Sequence, residues 1–207
     1  MQAVPDVVRK HWPEYLMEAA GLGLFMISAA VVTTLLEYPH SPLHGLFADQ
    51  ATRRLMIGLA MGATAIGLIY SPWGKRSGAH LNPAVTLTFY RLGKIGGIDA
   101  CSYVMAQFFG GALGLWLVSR AIGKAVEHPA VNYVVTTPGP AGSGTAFVAE
   151  ALISFGLMLV VLMVSNTTSL DAWTGCVAGA LVATYIAIEA PLSGMSMNPA
   201  RSFASAL

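Results

Sequence analysis

The sequence predicts an all-α membrane protein, an inverted-repeat helical bundle in which two re-entrant half-helices accompany the spanning helices. Three observations carry that prediction. The chain is 55% hydrophobic and 10% charged, with a mean hydropathy of +0.64, whereas a soluble domain carries about 25% charged residues. Its apolar runs reach the roughly 20 residues that a hydrocarbon core requires. An octapeptide also recurs: Ser77-Gly-Ala-His-Leu-Asn-Pro-Ala84 reads against Ser193-Gly-Met-Ser-Met-Asn-Pro-Ala200, identical at five of eight positions.

The spans fall at about residues 15–36, 54–71, 98–119, 146–166 and 172–190. Runs this long without alternation fit helices and not barrel strands. The opening MQAVPDVVRKHWPEY has no apolar core or cleavage site of a secretory signal, so the first run is expected to stay as a helix. Gly58 with Gly62, Gly110 with Gly114 and Gly175 with Gly179 recur at helical spacing and admit close helix approach. Cys101 and Cys176 lie inside apolar runs without metal-ligand spacing; both read as packing residues, and neither a metal nor a cofactor is expected. A net charge of +1 offers no basic excess for phosphates, which argues against a nucleic-acid partner. Arg9, Lys10, Lys75, Arg76, Arg91 and Lys94 share one face, and Arg53, Arg54, Arg120 and Lys124 the other, which puts the N-terminus in the cytoplasm.

Two apolar segments, about 78–90 and 193–207, are too short to span. Short, Gly/Pro-interrupted segments at matching positions mark the site of an inverted-repeat membrane protein. Upstream, Glu18-Ala reads against Glu150-Ala, 64 and 48 residues before the respective asparagines. The chain therefore reads as one channel-like domain over 1–207, with repeat one at about 12–120 and repeat two at about 145–207. Repeat one has a third spanning helix after its half-helix. Repeat two has none, so five spanning helices are present, a sixth is missing, and the sequence is expected to be a fragment of a longer parent.

Each part of Asn-Pro-Ala has a mechanical role. Asn82 and Asn198 are strong N-caps, and Pro83 and Pro199 at N1 forfeit only an N–H that no helix would use. Ala84 and Ala200 leave room for another backbone. Each motif thus starts a short helix inside the membrane, with about half a positive charge and free N–H groups at its tip. Irregular backbone at that depth must be buried in protein or line an aqueous cavity. Arg201 sits one turn into the second short helix, where a bare guanidinium is expensive. Glu18 and Glu150 suggest a proton relay, but their symmetry favours accepting hydrogen bonds from the N–H groups of the re-entrant loops. His80 is a candidate for pH gating near the cytoplasmic mouth.

SGAHLNPAVT and SGMSMNPARS resemble the two signature loops of the aquaporin family, also called major intrinsic proteins. Ala106-Gln107 with Gly110, and the two glutamates, also match the family pattern, and the resemblance covers about residues 12–207. It implies a right-handed helical bundle, usually a homotetramer with one pore per subunit, in the lipid bilayer of a bacterial plasma membrane. It implies that the Asn82 and Asn198 amides donate to water at mid-pore, and that the paired helix ends repel cations. By motif offset, Arg201, Met195 and Ile186 form the selectivity filter, with Met61 the fourth position. Water-selective members usually carry His where Ile186 stands. Glycerol facilitators usually carry Asp where Ser202 stands, and Ala206 also resembles the water-channel subgroup. Water therefore ranks first as the permeant; glycerol, urea, ammonia or metalloid acids are the alternative.

Three rival classes share parts of this pattern. An ion-coupled transporter would need pore-facing carboxylates, and only Glu18 and Glu150 offer themselves. An intramembrane enzyme would need an oriented nucleophile and base, which Ser77 and His80 lack; no enzyme is expected. A non-conducting structural membrane protein could keep the same residues.

Overall fold

A computed structural model describes residues 4–207, and among them the ordered elements are all helical. They are α1 (Val4–Glu37), α2 (Pro42–Leu46), α3 (Gln50–Tyr70), α4 (Pro72–Ser77), α5 (Pro83–Arg91), α6 (Gly97–Ile122), α7 (Lys124–Glu127), α8 (Gly142–Ser165), α9 (Thr174–Ser193) and α10 (Pro199–Ala206). Of these, α1, α3, α6, α8 and α9 are long and apolar enough to cross a membrane, and α5 and α10 are the two half-helices.

Element boundaries follow local chemistry. Asp49 caps α3 by accepting from the Thr52 hydroxyl and backbone N–H, both at 2.7 Å. Those bonds hold its carboxyl below the usual carboxylate range, so the cap persists at neutral pH and is lost on acidification through that lowered value. Asn82 and Asn198 cap the half-helices, each followed by Pro at N1. Two expectations need correction. Helix α1 begins at Val4, well before residue 15, and runs through Pro13. Hydropathy sees only the apolar part of this helix; its polar start is tied down by side chains, with His11 Nδ1 and the Tyr15 hydroxyl meeting Asp99 Oδ1 at 2.8 and 2.6 Å. The carbonyl that Pro13 leaves without a helical donor belongs to Arg9, in an exposed turn that water can serve. Cys101 is exposed on the outer face of α6 and is no packing residue.

Two close helix pairs form the frame, α1 with α6 and α3 with α9. Glycine makes both approaches. A Cβ on Gly110 would lie 2.0 Å from the Ala19 carbonyl oxygen, and one on Gly114 would lie 2.4 Å from that of Gly23. Across the other pair, Gly58 would meet Ala183 O at 2.6 Å and Gly62 would meet Gly179 O at 2.5 Å. Helix α8 packs chiefly on α9 and is the least enclosed of the five long helices.

Because backbone cannot yield as a flexible side chain does, Gly110→Ala is expected to cost about 2 kcal/mol or more. Gly67→Ala, with nothing within 4 Å of the added carbon, should be neutral or stabilising. Thermal unfolding of the two variants in detergent checks this, and equal midpoints would refute the close-packed seam.

Candidate functional site

The octapeptide repeats become two loops of the same backbone shape. Gly78, Ala79 and Leu81 have φ of +88°, +47° and +50°, and Gly194, Met195 and Met197 have +81°, +51° and +54°. Left-handed backbone costs a non-glycine residue roughly 1–2 kcal/mol. Something must hold the loops there, and the two glutamates do so. Glu18 Oε1 accepts from the Ser77 hydroxyl at 2.8 Å and His80 N–H at 3.0 Å; Oε2 accepts from Leu81 N–H at 2.6 Å. Glu150 repeats the pattern with the Ser193 hydroxyl at 2.7 Å, Ser196 N–H at 2.6 Å and Met197 N–H at 2.7 Å. Each serine also accepts the N–H two residues on, from Ala79 and from Met195. These serines lie in the repeated octapeptide, so the signal for their role was present in the sequence, where Ser77 is weighed only as a nucleophile.

Glu18 has a fourth partner. Gln107 Nε2 donates to Glu18 Oε2 at 2.7 Å and to Thr86 Oγ1 at 3.0 Å, and Thr86 Oγ1 lies 3.1 Å from His80 Nδ1. The His80 ring also stacks on Phe89 and meets the edge of Tyr103. It is thus held from three sides.

The asparagines close the centre. Each Oδ1 accepts N–H groups of its own helix: Ala84 for Asn82, and both Ala200 and Arg201 for Asn198. Each Nδ2 crosses to the other loop. Asn82 donates to the Met197 carbonyl at 2.7 Å, and Asn198 donates to the Leu81 carbonyl at 2.8 Å. An amide nitrogen carries two hydrogens, so each asparagine keeps one donor beyond this latch.

Both asparagines line a cavity of about 590 Å³. Its walls are helical stripes: Gln50, Arg54, Ile57, Met61, Ala65 and Ile69 on α3, and Thr174, Ala178, Val182, Ile186 and Ala190 on α9. At about 1.5 Å per residue the α3 stripe covers about 28 Å, close to the roughly 30 Å of a hydrocarbon core. Met61, Ile186, Met195 and Arg201 all line it. Ile186 packs against the cluster that contains Met61 and against the one that contains Met195. Arg201 Nη1 is buried with no partner among the described residues.

Fold and site define a multi-pass integral membrane protein with the aquaporin fold. The sequence profile described as Major intrinsic protein matches residues 7–207, and the chain belongs to that family. A probable aquaporin, AqpM, of Archaeoglobus fulgidus is 37% identical over 149 residues, 71% of this chain and 60% of the relative. Aquaporin NIP2-2 of Zea mays is 33% identical over 190 residues, 90% and 62% of the respective chains. A glycerol uptake facilitator protein-like 6 of Lactiplantibacillus plantarum is 34% identical over 154 residues, 74% and 70%. The matches thus span 60% and 62% of the length of the first two relatives. Among solved structures, the aquaglyceroporin from Plasmodium falciparum shares the fold, with a TM-score of 0.76 at 22% identity over 95% of this chain and 80% of that one.

Glu18→Gln would turn a nitrogen toward donors on Leu81 and Gln107. The expected loss is about 3 kcal/mol, the order for breaking a buried charged hydrogen-bond set. Glu14→Gln removes only the 2.9 Å pair with the exposed Arg76, a contact of a kind worth about 1 kcal/mol at most. Comparing the two melting curves in detergent tests the assignment, and a Glu18→Gln curve as mild as that of Glu14→Gln would refute it.

Proposed function

We propose that the protein is a passive transmembrane channel that conducts water along this cavity while excluding ions and protons. The observation that carries the reading is a membrane-length cavity with both half-helix caps standing in its wall. Each asparagine has one amide N–H left after latching the opposite loop. A water between them accepts from both, which turns its own hydrogens outward and interrupts the chain along which protons would hop. The two helix starts add about half a positive charge each, and together they repel cations at mid-depth.

Arg201, with Met61, Ile186 and Met195, forms the selectivity filter in this reading. The guanidinium supplies the polar edge and a cationic barrier, and the other three walls are apolar. Ser202 supports water as the permeant over glycerol. A second reading, passage of small neutral solutes such as glycerol, urea, ammonia or metalloid acids, is favoured by the apolar Ile186 and by the glycerol uptake facilitator-like relative. In this reading the channel works as a homotetramer of single-domain chains in a bacterial plasma membrane, with the N-terminus cytoplasmic as the distribution of Lys and Arg suggests.

Stopped-flow light scattering on proteoliposomes containing the full-length protein tests both. Osmotic water permeability should exceed that of empty vesicles, and a rate equal to theirs would sink the channel reading. Ile186→His should lower the ratio of glycerol to water permeability by about tenfold, the order that one altered pocket group is worth. Arg201→Val should raise that ratio and admit cations.

A further inference from the structure

In a helix the carbonyl of residue i accepts from the N–H of residue i+4. For Ala187 in α9 that residue is Pro191, which lies inside the helix and has no N–H; its ring also crowds that carbonyl. The missing donor arrives from another helix. Arg54 Nε donates to the Ala187 carbonyl at 2.9 Å, across 133 residues of sequence. This contact is the end of a regular seam. Arg54, Gly58 and Gly62 lie one turn apart on α3, and Gly58 and Gly62 face the carbonyls of Ala183 and Gly179 on α9. At the third step the seam changes from glycine against backbone to guanidinium against an orphaned carbonyl.

Ile186 adjoins Ala187, and both Ile186 and Arg54 line the cavity with Met61 and Arg201. Repeat one meets the same chemical problem differently. Pro72 leaves the Leu68 carbonyl without its helical donor, and Ser71 supplies both its N–H at 3.3 Å and its hydroxyl at 2.7 Å. There the helix breaks, with α3 ending at Tyr70 and α4 starting at Pro72. In repeat two α9 continues through the proline.

We propose that Arg54 is a positioning residue of the selectivity filter: its Nε holds the carbonyl that Pro191 orphans, and so sets where Ile186 stands against Arg201. The proposal rests on the channel reading and adds to it a residue outside the motif. Removing the charge-assisted donor lets this part of α9 relax and the constriction widen. Arg54→Leu should therefore raise the ratio of glycerol to water permeability by about threefold or more, the scale of one hydrogen bond. Arg54→Lys, which keeps a cationic donor, should stay nearer the native ratio. Pro191→Ala gives Ala187 a helical donor again, so Arg54→Leu in that background should move the ratio less than half as far on a logarithmic scale.

The native protein and the four variants, including the double variant, are compared by stopped flow in vesicles at matched protein content, with thermal midpoints measured alongside. A selectivity change in Arg54→Leu that Pro191→Ala suppresses is the expected result. If Arg54→Leu does not fold, folding restored by Pro191→Ala together with native-like selectivity in Arg54→Lys supports the same pairing; no restoration overturns it. Native conduction with an unchanged ratio, or an equal effect in both backgrounds, overturns the role of Arg54 and leaves the channel reading intact. A native protein with no permeability overturns both.

Discussion

The arrangement depends on the pair of crossed asparagine bonds at the centre. Two helix starts, each with about half a positive charge, repel one another at close range and would drift apart in a low-dielectric setting. The side chain that caps each helix also latches the facing loop: Oδ1 turns to its own helix and Nδ2 to the carbonyl preceding the other asparagine. Few side chains can do both. An aspartate caps as well but has no donor to cross with, and a serine hydroxyl offers a single hydrogen on a shorter arm. Asparagine at both positions follows from that double demand.

The latch is only as good as the two carbonyls it reaches, and these sit on strained backbone. Leu81 and Met197 are both left-handed, and both are held through their own N–H by a glutamate from another helix. Glu18 is wholly buried, and its depth is fixed by α1, whose place is fixed in turn by glycine contacts with α6. The asparagine centre, the glutamates and the glycine seams are thus one dependency read at three distances. The halves then diverge. Loop one continues through Gln107 and Thr86 to an immobilised His80. Loop two has Ser196 in that place, bonded to Ser202, which also meets Thr136, and it carries Arg201 where loop one has Val85. The backbone frame is symmetric, but the chemistry facing the cavity differs between its two ends.

Much of this was legible in the sequence, because the features with repeats or long apolar runs announce themselves. The octapeptides placed both half-helices, the paired glutamates marked the loop supports, and the glycine pairs at helical spacing marked the seams. The apolar run at 172–190 stops just before Pro191, a residue that ordinarily ends a helix, whereas α9 reaches Ser193. The continuation is made possible by a donor on a different helix, and no local pattern reports a partner so distant. Hydropathy starts α1 too late because its first three turns are stabilised by side-chain contacts that hydropathy does not weigh.

Charge at the centre of this cavity is carried by helix tips and not by ionised side chains. A full charge at mid-depth would be costly to desolvate and would bind its counter-ion tightly. Helix tips spread partial charge over backbone N–H groups whose positions the fold already fixes. The permeant proposed above would therefore meet donors that repel cations yet hold no solute strongly, and passage needs both properties. Arg201, the cation that directly follows the second motif, lines the same cavity as apolar Met61, Ile186 and Met195. In the proposed reading its charge acts there as a barrier to cations. Selectivity in that reading rests on the position of those apolar walls, which makes the hydrogen bond from the Arg54 side chain to the Ala187 carbonyl as consequential for the aperture as the side chains that line it.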